Sequence, residues 1–166
     1  MSRFIEWNSL DVRVDGAKLN AMVSAQIAGE PMIERVALRF TTGLLRVTGS
    51  IRKFISIPFT VEIDRIDARG THVRVPLARI SAGPIPIPTL LVSLVKNRFP
   101  RELVTVEEPA TLVVSLDRFL PSFVDAAIEQ IDIVEGGLAV KLGRGGADLP
   151  TGGNNDNELR EHDRRV

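Results

Sequence analysis

The sequence predicts an α+β fold: an antiparallel meander whose apolar face is covered by one or two amphipathic helices. Three observations predict it. From Phe54 to Ile80 the chain alternates, with Ile55, Ile57, Phe59, Val61 and Ile63 at every second position, a turn at Asp67–Gly70, then Val73, Val75 and Leu77. A period of two marks strands with one apolar and one wet face, so this stretch reads as a long antiparallel hairpin. Earlier, Leu19, Met22, Val23 and Ile27 fall on one stripe of a helix. Later, Pro84-Ile85-Pro86-Ile87-Pro88 introduces an almost wholly apolar run to Val95, which reads as a second helix laid in the groove of the meander.

Composition narrows the function. A chain of 166 residues suits one domain and buries roughly 70% of its unfolded surface. Lys+Arg and Asp+Glu are 21 each, so no global field draws nucleic acid or an anionic bilayer, and no nucleic-acid partner is expected. The absence of Cys removes disulfides, thiolate catalysis and thiolate metal sites. One Trp and no Tyr give poor material for stacking bases. Met1–Leu10 lacks the apolar run of a signal peptide, and the longest apolar run, Ile85–Val95, is interrupted by prolines and shorter than the ~20 residues of a span. A soluble protein, cytoplasmic or peripheral to a membrane, is therefore expected; removal of an N-terminal anchor from an envelope protein would leave the same sequence.

In chain order, Leu10, Val12 and Val14 suggest a short strand, and Asp15 is placed to cap the helix that follows. Gly29 is placed to end that helix and Pro31 to stop it, while Met22 reads as core filler. Val36, Leu38 and Phe40 alternate in a strand, Thr41-Thr42-Gly43 turns, and Leu45, Val47, Gly49 and Ile51 alternate in the next; Gly49 hints at a close backbone approach. With the hairpin over 55–80 this gives a four-stranded meander. Its wet face carries Arg35, Arg39, Arg46, Arg52, Arg74 and Arg79, read as a solvated face or as contacts to phosphate headgroups at a membrane surface. Two extended pieces follow at Leu103–Val106 and Leu112–Leu116, then a short helical segment within Asp117–Ala127. Ile131 and Ile133, a Glu135-Gly136-Gly137 turn, and Leu138, Val140 and Leu142 form a last hairpin. One domain is expected over 1–142, and a disordered polar tail over 143–166.

Catalytic chemistry is not nominated. His162 lies in the tail and His72 beside a turn on a wet face, so no Ser-His-acid set can be assembled. Asp125, Glu129, Asp132 and Glu135 lack calcium-loop spacing, and Gly143-Arg144-Gly145-Gly146 opens no helix, so it is no phosphate loop. No enzyme, no metal and no cofactor is the expectation.

The phrases LLRVTGSI at 44–51, IPFTVEI at 57–63, PIPIPTLLVSL at 84–94, and LVVSLDRFLP with IDIVEGGLAVKL within 112–142 carry a resemblance. In that order of elements, residues 8 to 142 resemble the TULIP (tubular lipid-binding) superfamily, in particular its small bacterial single-module members of the LmeA and YpmS type. The resemblance implies a long curved antiparallel sheet wrapped around a helix, leaving an apolar groove for acyl chains. The residues agree, because the inward set is aliphatic or Phe, and acyl chains need only apolar area, about 0.8 kcal/mol per buried methylene. The expected lining is Val36, Leu38, Phe40, Val47, Ile57, Phe59, Val61, Val73 and Val75 from the sheet, with Leu90, Leu91 and Leu94 from the helix. The function expected is non-catalytic lipid binding or transfer, with a lipid or other apolar small molecule as partner. The alternative is a closed core in a module that docks another protein.

Overall fold

The structure is a computed structural model that describes residues 3–52, 54–82, 102–117, 120 and 122–148. The apolar helix expected over 84–99, with Leu90, Leu91 and Leu94, lies outside these residues, as does the chain from 149 onward. The described chain is α+β: antiparallel sheets and one helix.

Strands β1 (Ile5–Trp7) and β2 (Leu10–Asp15) lead into helix α1 (Gly16–Ile27). Asp15 caps the helix, its carboxylate accepting the Lys18 N–H at 2.9 Å. Gly29 does not take a left-handed conformation; the helix closes at Ala28 with right-handed geometry, and Pro31 keeps it from resuming.

Strands β3 (Ile33–Thr41), β4 (Leu44–Arg52) and β5 (Ser56–Ile63) are joined by short turns, the first with Gly43 at φ +74°. They form a ladder that β8 (Arg79–Ser81) completes in the order β3-β4-β5-β8. Pro58 is tolerated inside β5 because β8 pairs only Thr60–Glu62, leaving that side of Pro58 without a ladder partner to serve.

The helix sits on the open edge of this sheet. Asn20 Oδ1 accepts the Leu38 N–H of β3 at 2.9 Å, satisfying an edge amide that would otherwise invite another strand. At an edge only a narrow i, i+4 line is covered, so Leu19, Val23 and Ile27 are half-buried while Met22 is 56% exposed, contrary to its expected place in the core.

Of the hairpin expected between 55–63 and 72–80, only the end pairs, with Val61 opposite Ile80 and Glu62 opposite Arg79, and Val73 and Val75 go elsewhere. Asp67–Arg69, expected as a turn, is strand β6, and it pairs with β7 (His72–Pro76) across Gly70-Thr71, with Gly70 at φ +64°. That tight turn gives β7 its nearest neighbour as partner, so β7 belongs to a second sheet, β6-β7-β10-β9, with β9 (Val104–Glu107) and β10 (Thr111–Ser115). Downstream, Leu120 N–H donates to Leu116 O at 3.2 Å, but Val124–Asp125 is strand β11, where a helical segment was expected.

Strand β12 (Ile128–Val134) and β13 (Gly137–Leu142) make the expected last hairpin, with Gly136 at φ +77°, and β2 adds to it in the order β12-β13-β2. The ordered chain does not stop at Leu142. Gly145–Ala147 is strand β14, held between β1 and β11. Its glycines, read in the sequence as disorder, allow close approach: a Cβ on Gly145 would lie 2.8 Å from the Trp7 ring.

Two isolated bridges, Ile66↔Ile131 and Gly70↔Ile128, stitch β6 to β12, the second with Ile128 N–H on Gly70 O at 2.7 Å. The register of β12 slips between Ile128 and Gln130, so Glu129 is a bulge residue at this seam. The core joins sheets across the turns: Phe40, Leu45, Phe59, Ile63 and Ile133 share one cluster, and Gly43 N–H donates to Ile133 O at 2.9 Å.

Candidate functional site

Alternation in three paired strands brings seven of the expected lining residues onto one face. In register, Val36 is opposite Gly49 and Gly49 opposite Phe59; Leu38 is opposite Val47 and Val47 opposite Val61; Ile57 is opposite Ile51. Phe40, Phe59 and Val61 are buried, and Val36, Leu38, Val47 and Ile57 are half-buried. Gly49 is the close approach its sequence hinted at. A Cβ there would meet the Phe59 ring and the Arg35 carbonyl oxygen, each at 2.5 Å, so the ring occupies the place of the missing side chain.

Val73 and Val75 stand apart from this set because β7 is in the second sheet. Val73 is buried between Ala68 and Val114 and is not part of the main cluster, whereas Val75, opposite Leu112, packs against it. Leu90, Leu91 and Leu94 fall outside the described residues. Among the described residues no large side chain is less than 2% exposed.

The expected lining omitted a second apolar face. Leu10, Val12 and Val14 lie opposite Leu142, Val140 and Leu138, and Ile131 and Ile133 continue the same rows on β12. Leu10 and Val12 are 43% and 38% exposed, while Ile133 and Leu138 join the main cluster. Each alternation was visible in the sequence; the pairing of two distant segments was not.

The arginine row on the wet face is largely engaged. Arg46 donates to Glu62 at 2.8 Å and Arg79 lies 3.7 Å from the same carboxylate; Arg74 pairs with Glu107 in the second sheet. Glu34 is the hub of the β4–β5 end, accepting from Ser50 at 3.0 Å, Ser56 at 2.5 Å and Arg52 at 2.7 Å. The Ser56 and Ser50 hydroxyls, then Arg52, hold its carboxyl below the ordinary value of about 4.5. A depressed carboxyl stabilises the fold at pH values above its ordinary value, and that contribution is lost as pH falls through the folded-state value. Glu34→Gln should therefore lower the melting temperature at neutral pH, with a gap to the parent that narrows below about pH 4.5, as followed by thermal melts across pH.

A cleft of about 850 Å³ opens where the second sheet meets β12, between Asp67, Arg69, His72, Arg74, Glu107 and Glu129. Its charges are mixed in sign and partly answered within it. Arg74 is tied to Glu107, and Asp67 lies 3.8 Å from Arg65. Beside it, Asp117 is held below the ordinary carboxyl range by hydrogen bonds from Thr71 and then Ser115. Among the described residues no group of three or more His, Cys, Asp or Glu is placed to hold a metal ion. The lining of the cleft counts three carboxylates to two guanidiniums, with the Lys141 ammonium 3.9 Å from Glu129.

No protein-family model, curated protein or solved structure matches the chain. Among the described residues no helix is long and apolar enough to cross a membrane.

Proposed function

We propose that this chain is a non-catalytic lipid-binding or lipid-transfer module of the TULIP type, holding acyl chains against the apolar face of β3, β4 and β5. One observation carries the reading. On a face built almost wholly of aliphatic and Phe side chains, Val36, Leu38, Val47 and Ile57 stay half-buried beside the buried Phe40, Phe59 and Val61, so part of its apolar area is left uncovered. The buried polar residue nearby, Ser50, belongs to the opposite face and is spent on Glu34, so among the described residues of the apolar face of β3, β4 and β5 no polar side chain orients a ligand. Such a surface discriminates by apolar area alone, which suits acyl chains.

The test is native mass spectrometry of the purified protein, with organic extraction of the same sample. A stoichiometric co-purifying lipid, or uptake of a fluorescent fatty acid after delipidation, is the expected result. A clean apo mass together with no uptake would replace this reading by a closed core and a protein-docking module.

A further inference from the structure

The two most exposed large apolar side chains described are neighbours: Phe54 at 96% and Ile55 at 71%. They stand at the tip of the β4–β5 hairpin, outside the ladder, which closes with Arg52 opposite Ser56. The hairpin does not need them for its own pairing. Met32, 39% exposed, lies at the same end, where its carbonyl accepts the Arg52 N–H at 2.8 Å.

We propose that this tip docks the protein onto a lipid bilayer, with Phe54 and Ile55 entering the interfacial layer. The inference rests on the lipid-holding reading of the adjacent face and names where that face meets its source of lipid. Four features point to a bilayer as the occupant. First, two adjacent side chains on a hairpin tip are far from the roughly 800 Å² per partner of a stable protein interface, but they suit shallow insertion. Second, Arg52 and Lys53 precede the apolar pair in sequence, and Arg52 is paired with Glu34, which two serines also engage, so these three charged residues carry a net positive charge of one. That pattern complements anionic headgroups over an acyl layer. Third, those contacts to Glu34 tie β3, β4 and β5 together beneath the tip, so insertion orders little that is loose. Fourth, Ile55 continues the alternation of Ile57, Phe59 and Val61, and exposure falls from 71% at Ile55 to 6% at Phe59 and 4% at Val61. The apolar track thus runs from the tip to the proposed acyl-binding face. Two side chains give weak, reversible attachment, as a module that must leave the membrane with its cargo requires.

The chain has no cysteine, so one can be placed at will for labelling. An environment-sensitive fluorophore on Ile55→Cys should shift to the blue on vesicles of phosphatidylcholine with a minority of phosphatidylglycerol. The same label on Thr42→Cys, at the opposite end of the β3–β4–β5 ladder, should not shift. The Phe54→Ser, Ile55→Ser double variant should lose about tenfold or more of its partition onto those vesicles in flotation, given what burying two such side chains is worth. Its uptake of a fluorescent fatty acid from solution should remain that of the parent. An unchanged label at position 55, or a double variant that floats like the parent, would overturn the docking tip while leaving lipid holding intact. Vesicle binding through the tip without fatty-acid uptake would do the reverse. Self-association that the double variant abolishes, with no vesicle binding, would assign the tip to a second copy and overturn the proposal.

Discussion

Phe59→Ala should lower stability by about 3–5 kcal/mol, the range for truncating a buried aromatic. Phe59 is 6% exposed, packs in the main cluster, and its ring fills the space over Gly49 on the neighbouring strand. Truncation removes both the ring's own burial and the cover over that glycine. The converse change, Gly49→Ala, forces a methyl against the ring and the Arg35 carbonyl, and overpacking of this kind costs about 1–3 kcal/mol. The two should not be independent. With the ring gone, only the Arg35 carbonyl still opposes the methyl, so Gly49→Ala should cost less in the Phe59→Ala background. Urea unfolding of the four proteins gives the coupling, and additivity within about 0.5 kcal/mol would mean that ring and glycine are not a unit.

Val47→Trp is the second large effect, and it separates an open face from a closed one. Val47 lies in the middle of the sheet, opposite Leu38 and Val61, and is half-buried. If the face accepts acyl chains, the indole takes the ligand's place. Fatty-acid uptake should then fall by about tenfold or more, while the melting temperature stays close to that of the parent, since each displaced methylene is worth about 0.8 kcal/mol. If the face is a filled core, the added volume has nowhere to go; stability should drop by about 1–3 kcal/mol, with no uptake to lose. Equilibrium fluorescence titration and a thermal melt on the same sample read both outcomes.

The parts legible in the sequence were those fixed by local rules. Asp15 at the helix start, the alternations of β3, β4 and β5, the glycines of two hairpin turns, and the Gly49 approach each follow from residue type and spacing. Strand partners were less legible, because alternation says which face a residue takes and not which strand lies beside it. Val73 and Val75 show the cost: their pattern is that of Ile57 and Phe59, yet a two-residue turn at Gly70-Thr71 gave β7 to another sheet. Composition also misled at the end of the chain. Gly145 and Gly146 look like linker, but a strand that must pass close to Trp7 and Ile5 needs glycine there. Phe54 and Ile55 were read as the start of a strand, since nothing in the alternation marks where a ladder stops and a tip begins.

The pairing of β2 with β13, and of β1 with β14, has a consequence for how the chain is made. Arg13, for instance, donates to Glu135 O, 122 positions away. During synthesis the first two strands emerge long before their partners exist, while β3, β4 and β5 can fold as soon as they leave the ribosome. Leu10 and Val12 then wait with an open edge until residues 137–142 have been made, in a topology whose many remote contacts make folding slow. Protection of the early strands by a chaperone, or their late appearance in pulse-labelled hydrogen exchange, is the kinetic signature this architecture imposes.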